Sequence, residues 1–209
     1  MFSFVVCLLK VLDEADVILN MDSAALETIT NFIPKERNTY LFTATMTKKV
    51  EKFQRAFLRH PVKVEVSSKY KTVDNLDQFY LETPLKFKDL YLVQVLKTLD
   101  GSSRIMIFCE TCMRAVRLAL TLQNLHFYVI PFHGQMNQEE RLKSLEKFKS
   151  SSRHNILVAT DLAACGLDIP HVDVVINADI PTHPKTYIHR VGRTARAGRA
   201  GKAITILTQ

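Results

Sequence analysis

The stretch Ile105-Met-Ile-Phe-Cys-Glu-Thr-Cys-Met-Arg-Ala-Val-Arg-Leu-Ala-Leu-Thr-Leu122 decides the fold. Its first five residues are apolar throughout, as in a strand buried between two layers. Two polar residues follow, then a helical segment from Cys112 to Leu122. The same unit recurs on both sides. Upstream, a strand at Phe79–Leu81 precedes a helix at Lys86–Leu99. Downstream, a strand at Tyr128–Phe132 precedes a helix opened by Asn137, with Glu140 three residues on in a capping-box arrangement. That helix is expected to bury Leu142, Leu145 and Phe148. Strands at Ile156–Ala159 and Val172–Ile176 follow, then a helix begun by Pro184 and a last strand at Lys202–Leu207. Strands alternating with helices of about ten to fifteen residues predict an α/β domain with a parallel sheet covered on both faces.

The first third of the chain is less regular. Val5 to Leu12 reads as a buried strand ending at Asp13, and Ala24 to Phe32 as a helix stopped by Pro34. Thr39 to Phe42 is a short strand. Thr47 is placed to cap a helix that carries Val50, Phe53, Phe57 and Leu58 on one face. Pro61 ends it, and Val62 to Val66 alternates as a strand. Ser67 to Asn75 is polar and reads as a linker. The expected division is residues 1–66, a linker at 67–75, and a main domain at 76–209.

Composition narrows the partners. Of 209 residues, 47% are hydrophobic, enough for a true core, and 28 Lys and Arg against 21 acids give a net charge of +7. That excess favours a polyanion. Four cysteines are too few for a disulfide framework, which points to a reducing compartment. Cys109 and Cys112 have redox-motif spacing but no second pair to complete a zinc site, so both read as structural. No stretch is long enough to cross a membrane, and the apolar opening Met1–Leu9 reads as a strand rather than a leader.

In a parallel sheet, ligands bind beyond the carboxyl ends of the strands, and the polar residues of this chain gather there. Asp13 and Glu14 follow the first strand. A strand-end acid can hold Mg²⁺ directly or through water, and its neighbour can orient an attacking water. Thr43 and Thr45 follow the next strand, where their hydroxyls could bond those acids. Thr111, His133-Gly134 and Thr160-Asp161 follow three later strands, a rim of hydroxyls and glycine amides suited to tracking phosphates. Late in the chain, Tyr187-Ile-His-Arg-Val-Gly-Arg-Thr-Ala-Arg-Ala-Gly-Arg199 places Arg190, Arg193, Arg196 and Arg199 three residues apart. On a helix they would fan slowly around the axis toward several acceptor oxygens. The alternative is a solvated basic face.

Six segments in order resemble the motifs of the DEAD-box ATP-dependent RNA helicases of superfamily 2. They are Val11-Leu-Asp-Glu-Ala-Asp16, Thr43-Ala-Thr45, Ile107-Phe-Cys-Glu-Thr111, His133-Gly-Gln-Met-Asn-Gln-Glu-Glu-Arg141, Ala159-Thr-Asp161 with Gly166-Leu-Asp-Ile-Pro170, and His189-Arg-Val-Gly-Arg-Thr-Ala-Arg196. Flanking text such as Ile33-Pro-Lys-Glu-Arg-Asn38 resembles the nucleolar branch that processes ribosomal RNA precursors. The resemblance implies a RecA-like C-terminal helicase domain preceded by the C-terminal part of a first RecA-like domain. It implies ATP and Mg²⁺ as cofactors. Asp13 (to Mg²⁺ through water), Glu14, Arg193 and Arg196 would be catalytic, and Asp168 would join the two arginines at the nucleotide. Asp16, Thr43, Thr45 and His189 would couple nucleotide to RNA. Thr111, Gly134, Gln138, Arg141 and Thr160 would face RNA, either a single strand or a short duplex. Protein cofactors and a nuclear, nucleolar location are implied; DNA and membrane partners are not.

The chain also departs from that pattern. No G-x-x-x-x-G-K-[ST] loop occurs, and its six glycines all lie from Gly101 onward. Without that loop ATP lacks its main cradle. The sequence therefore reads as N-terminally truncated, and this chain alone is expected to be inactive. Its first part should be marginal in stability, while Lys69 onward folds by itself. Val17 and Cys165 stand where the family carries Arg, and Thr43 where it carries Ser. A non-catalytic RNA- or protein-binding module and a fragment without function remain open beside the helicase reading.

Overall fold

The structure, a computed structural model, describes residues 9–21, 23–43, 45–65, 75–161, 169–170, 172–195 and 198–208. The chain divides into two compact units, Met1–Lys69 and Tyr70–Gln209. The linker expected at 67–75 lies, except for Asn75, outside the described residues.

In the first unit, β1 (Leu9–Leu12) and β2 (Asn38–Leu41) pair in parallel, with Val11 beside Tyr40. Helices α1 (Ala15–Met21) and α2 (Ser23–Phe32) connect them, and α3 (Lys48–Phe57) follows β2. Thr47 caps α3 by accepting the Val50 amide at 3.3 Å. Val50 and Phe53 pack with Leu12, Ala15, Leu19 and Leu26. The sequence reading gives no helix at 15–21. Seven residues are too few to show helical periodicity, and the turn that starts α1 depends on the Glu14 carbonyl accepting from both Val17 and Ile18. The strand expected at 62–66 does not form at 61–65, and Val66 lies outside the described residues. Val62 and Val64 are 89% and 80% exposed. Alternating valines supply propensity, but a strand also needs a neighbour, and no described strand pairs with this segment.

The second unit is one parallel sheet of six strands. These are β3 (Leu76–Thr83), β4 (Ile105–Cys109), β5 (Val129–Phe132), β6 (Ile156–Thr160), β7 (Val174–Asn177) and β8 (Gly201–Thr208). Their order across the sheet is β3-β8-β7-β4-β6-β5. After β3 a 3-10 turn at Leu85–Phe87 leads into α4 (Lys88–Thr98), where the sequence suggested one helix. The other helices are α5 (Cys112–Asn124), α6 (Gln138–Ser150) and α7 (Pro184–Val191).

Strand β4 is buried at every position and divides its side chains between two cores. Ile105, Ile107 and Cys109 face Leu92 and Leu96 of α4 and Ala115, Leu118 and Leu122 of α5. Met106 and Phe108 face Leu145 and Phe148 of α6. Fully burying such a phenylalanine contributes on the order of 2–3 kcal/mol. A parallel sheet covered on both faces is thus what the five-residue apolar run indicates. Val191 of α7 packs with Leu76 and Ala203 in a smaller cluster. Among the described residues no helix is long and apolar enough to cross a membrane.

The capping box on α6 forms as expected. The Asn137 side chain accepts the Glu140 amide at 2.9 Å, and Glu140 accepts the Asn137 amide at 3.0 Å. Leu142, however, is 48% exposed, while Leu145 and Phe148 are buried. Asn137→Ala is expected to cost the second unit about 1 kcal/mol, measured as a shift in its denaturation midpoint.

Candidate nucleotide and nucleic-acid interface

In the first unit the chain bends sharply after β1. Glu14 has φ of 49°, a left-handed backbone in a residue with a side chain. Asp13 and Glu14 sit in this bend. Asp13 is exposed, and its Oδ1 accepts the Glu14 amide at 2.8 Å. Backbone bonds from Phe42 to the Leu12 carbonyl (2.7 Å) and from Ala15 to the Phe42 carbonyl (3.0 Å) draw the loop after β2 against the same end.

That closure brings Asp16 to Thr45. Asp16 is fully buried; its Oδ2 accepts from the Thr45 amide at 3.1 Å and from Thr45 Oγ1 at 2.7 Å, and its Oδ1 accepts the Val17 amide at 3.0 Å. The threonine thus bonds the third acid of the motif, where the sequence pointed to Asp13 and Glu14. The first turn of α1 carries Asp16 inward and leaves Asp13 at the surface. Thr43 Oγ1 instead donates to the Thr45 carbonyl at 2.8 Å, which stiffens the loop.

In the second unit, Thr111 caps α5 by accepting the Arg114 amide at 3.1 Å. Gly134 and Gln138 are exposed beyond β5, at the start of α6. Arg141, one turn further, lies over the Phe132 ring, with its guanidinium carbon 5.7 Å from the ring centroid. Thr160 ends β6 and is buried, and its Oγ1 has no hydrogen-bond partner among the described residues. Asp168 lies outside the described residues.

The arginine series is not a helical face. Helix α7 ends at Val191, where the Gly192 amide bonds the Ile188 carbonyl at 2.8 Å. Only Arg190 of the four is on the helix, and it is consumed inside the unit. It is 2% exposed. Its Nε and Nη2 grip both oxygens of Asp161, at 2.7 and 2.8 Å. Its Nη1 donates to Asn177 Oδ1 at 3.2 Å and to the Asp179 carbonyl at 2.6 Å. The guanidinium also stacks 5.2 Å from the Phe108 ring centroid. A solvated basic face is excluded for this residue and for Arg193, which is 7% exposed.

Arg193 is positioned through its backbone. Its amide bonds the Arg190 carbonyl at 3.1 Å, and its carbonyl accepts Val172 at 3.3 Å. The turn then runs against β8 so closely that a Cβ on Gly201 would overlap Thr194 Oγ1 and the Ala195 amide. His189 is half-buried on α7, Arg199 is exposed, and Arg196 lies outside the described residues.

A second polar node went unread in the sequence. Asp179, two residues past β7, accepts from Lys88 at 2.6 Å and from the Glu110 amide at 3.0 Å. Burial is the strongest single influence on Asp179 and pushes its pKa up. The bonds from Lys88 and Glu110 and the charges of Lys88 and Arg114 together outweigh it and hold the carboxyl below its ordinary value. Arg114 forms a two-pronged pair with Asp89, which raises the guanidinium pKa. Cys109 is buried beside this node. Desolvation, with a smaller push from Asp179, drives its thiol up to about 12, which fits a structural cysteine.

Residues 87–198 match the helicase conserved C-terminal domain, more than half of the chain. Over 200 residues the chain is 63% identical to a probable ATP-dependent RNA helicase, DDX47, of Mus musculus, covering 95% of this chain and 44% of that protein. It is 58% identical to the ATP-dependent rRNA helicase rrp3 of Schizosaccharomyces pombe, covering 95% of this chain and 43% of that protein. The chain belongs to the DEAD-box RNA helicases. Its fold is theirs as well. Dbp5 of S. cerevisiae, bound to RNA and ADP BeF3, superposes with a TM-score of 0.83 at 31% identity, over 96% of this chain and 53% of that one. Mss116p, bound to ssRNA and AMP-PNP, gives 0.84 at 28% identity, over 97% and 44%. The chain therefore spans less than half the length of these curated DEAD-box relatives.

Proposed function

We propose that this chain carries the second RecA-like domain, with the closing part of the first, of an ATP-dependent RNA helicase that works on ribosomal RNA precursors in the nucleus, at the nucleolus. The observation that carries the reading is the pairing of motif residues distant in sequence. Asp16 meets Thr45 within the first unit, and Arg190 meets Asp161 within the second. Relatives named as rRNA helicases support that substrate class. In this reading MgATP is the substrate. Asp13 presents one exposed hard oxygen donor, which fits an ion that draws its remaining ligands from water and phosphates. Among the described residues no cluster of three metal-binding side chains exists to hold such an ion without the nucleotide. Glu14 beside Asp13 orients the attacking water, and Asp16 with Thr45 links that site to the RNA-facing loop. Arg193 and Arg196 meet the γ-phosphate, Asp168 the ribose, and His189 couples the nucleotide to RNA.

The RNA side comprises Thr111, Gly134, Gln138, Arg141 and Thr160. Only Arg141 among these five is a cation, so binding by these 209 residues is weak, and its salt dependence comes from the wider basic surface of a chain with net charge +7. Raising salt from about 50 to 200 mM should lower affinity for single-stranded RNA at least about tenfold, by fluorescence anisotropy. Affinity unchanged by salt would contradict a backbone-tracking surface.

No G-x-x-x-x-G-K-[ST] loop lies in the sequence, so the nucleotide needs that loop from outside these residues. The test is RNA-stimulated ATP hydrolysis by this chain, and by a chimera in which it replaces the matching residues of the mouse relative. The expected result is no turnover by the chain and RNA-dependent turnover by the chimera. A folded chimera that binds RNA without turnover would replace this reading with a non-catalytic binding module.

A further inference from the structure

A cavity of about 350 Å³ opens beside the Asp179 node, between the starts of α4 and α5. Six charged side chains line it: Lys86, Lys88, Asp89, Arg114, Arg117 and Asp179. None of them belongs to the nucleotide or RNA set described above. They form two tiers. The inner tier is neutralised: Lys88 pairs with Asp179 at 2.6 Å, and Arg114 pairs with Asp89 and approaches Asp179 at 3.9 Å. Lys88, Arg114 and Asp179 are only 12–15% exposed in their side chains, so the charges of the floor are paired and largely withdrawn from solvent. The outer tier is not neutralised. Lys86 and Arg117 are both exposed, and neither has a carboxylate partner among the described residues. They come from different elements, the turn before α4 and the second turn of α5. The mouth thus carries two cations above a floor whose carboxylates are already satisfied.

We infer that this cavity is a binding site for a phosphate-bearing anion, held between Lys86 and Arg117. The cavity volume lies at the lower end of small-molecule sites and exceeds what a single carboxylate would fill. An anion with several oxygens can meet both outer cations at once, with the guanidinium offering a planar fork and the ammonium a point charge. The inner ion pairs hold α4, α5 and Asp179 in register, so the two outer cations need little reorganisation on binding. The site is independent of the helicase reading, because its residues and its ligand test differ from those of ATP turnover.

Inorganic pyrophosphate is the probe, titrated into the 209-residue chain by calorimetry at low salt. Saturable binding is expected, weakened about tenfold or more in the Lys86→Ala/Arg117→Ala variant. Both substitutions are at exposed positions, and an unchanged melting curve verifies the fold. Lys143→Ala is the control. That exposed lysine lies on α6, across the sheet, and should bind as the parent does. An RNA oligonucleotide with and without a 5′-phosphate then separates the sources. A 5′-phosphate advantage that disappears in the double variant assigns the site to an RNA end. Pyrophosphate binding without that advantage assigns it to a free small anion. No saturable pyrophosphate binding, or equal binding by the double variant, overturns the inference.

Discussion

Arg190→Ala is expected to lower the stability of the second unit by about 3 kcal/mol. The parent guanidinium satisfies four acceptor atoms at once, two on Asp161 and one each on Asn177 and the Asp179 main chain. Asp161 keeps 42% of its side-chain exposure and would regain water when its partner is removed. Asn177, fully buried, would not, and its oxygen would lose a donor. The loss therefore lies below that of a fully buried broken pair, which runs to about 5 kcal/mol. The chain has no tryptophan and two compact units, so hydrogen exchange of the β4 and β6 amides is the suitable measurement. Arg190→Lys should recover only part of the loss, since one ammonium cannot replace a planar fork. An Arg190→Ala variant with protection within about 0.5 kcal/mol of the parent would show that the pair is a spectator.

The same residue shows where reading a sequence stops. Local signals were legible. The apolar run at Ile105–Cys109 became a strand buried on both faces, Thr47 and Asn137 became caps, and Pro184 opened α7. Each depends on neighbours within a turn or on the strand's own alternation. Arg190, by contrast, meets a partner 29 residues away, and Lys88 meets Asp179 across 91 residues. No local pattern announces such pairs. The spacing of the four arginines suggested a helical fan, yet Gly192 ends the helix after the first of them. The alternating valines at 62 and 64 failed for a related reason, since their pattern is local and no described strand pairs with them. The candidate site fared similarly. Its strand-end positions put the threonine hydroxyls near Asp13 and Glu14, but the inward turn of α1 makes Asp16 the acid that meets Thr45.

Those packed contacts also govern the largest catalytic effect expected. In the chimera with the mouse relative, Arg193→Ala should lower RNA-dependent ATP turnover by about a thousandfold, while RNA affinity at fixed salt stays within about twofold. Arg193 sits 7% exposed, with its amide on the Arg190 carbonyl and its own carbonyl on Val172. Its backbone is therefore held before any nucleotide arrives, which limits the reorganisation needed for a guanidinium to stabilise developing charge. Arg193→Lys should rescue little, because an ammonium cannot span two γ-phosphate oxygens. Stability separates this effect from the one at Arg190. Arg193→Ala should lose turnover far out of proportion to any change in β4 and β6 protection, whereas Arg190→Ala lowers both protection and turnover. If Arg193→Ala kept turnover within about tenfold of the parent, Arg193 would have no place at the γ-phosphate. The arginine series would then be structural, with its first member pinning Asp161.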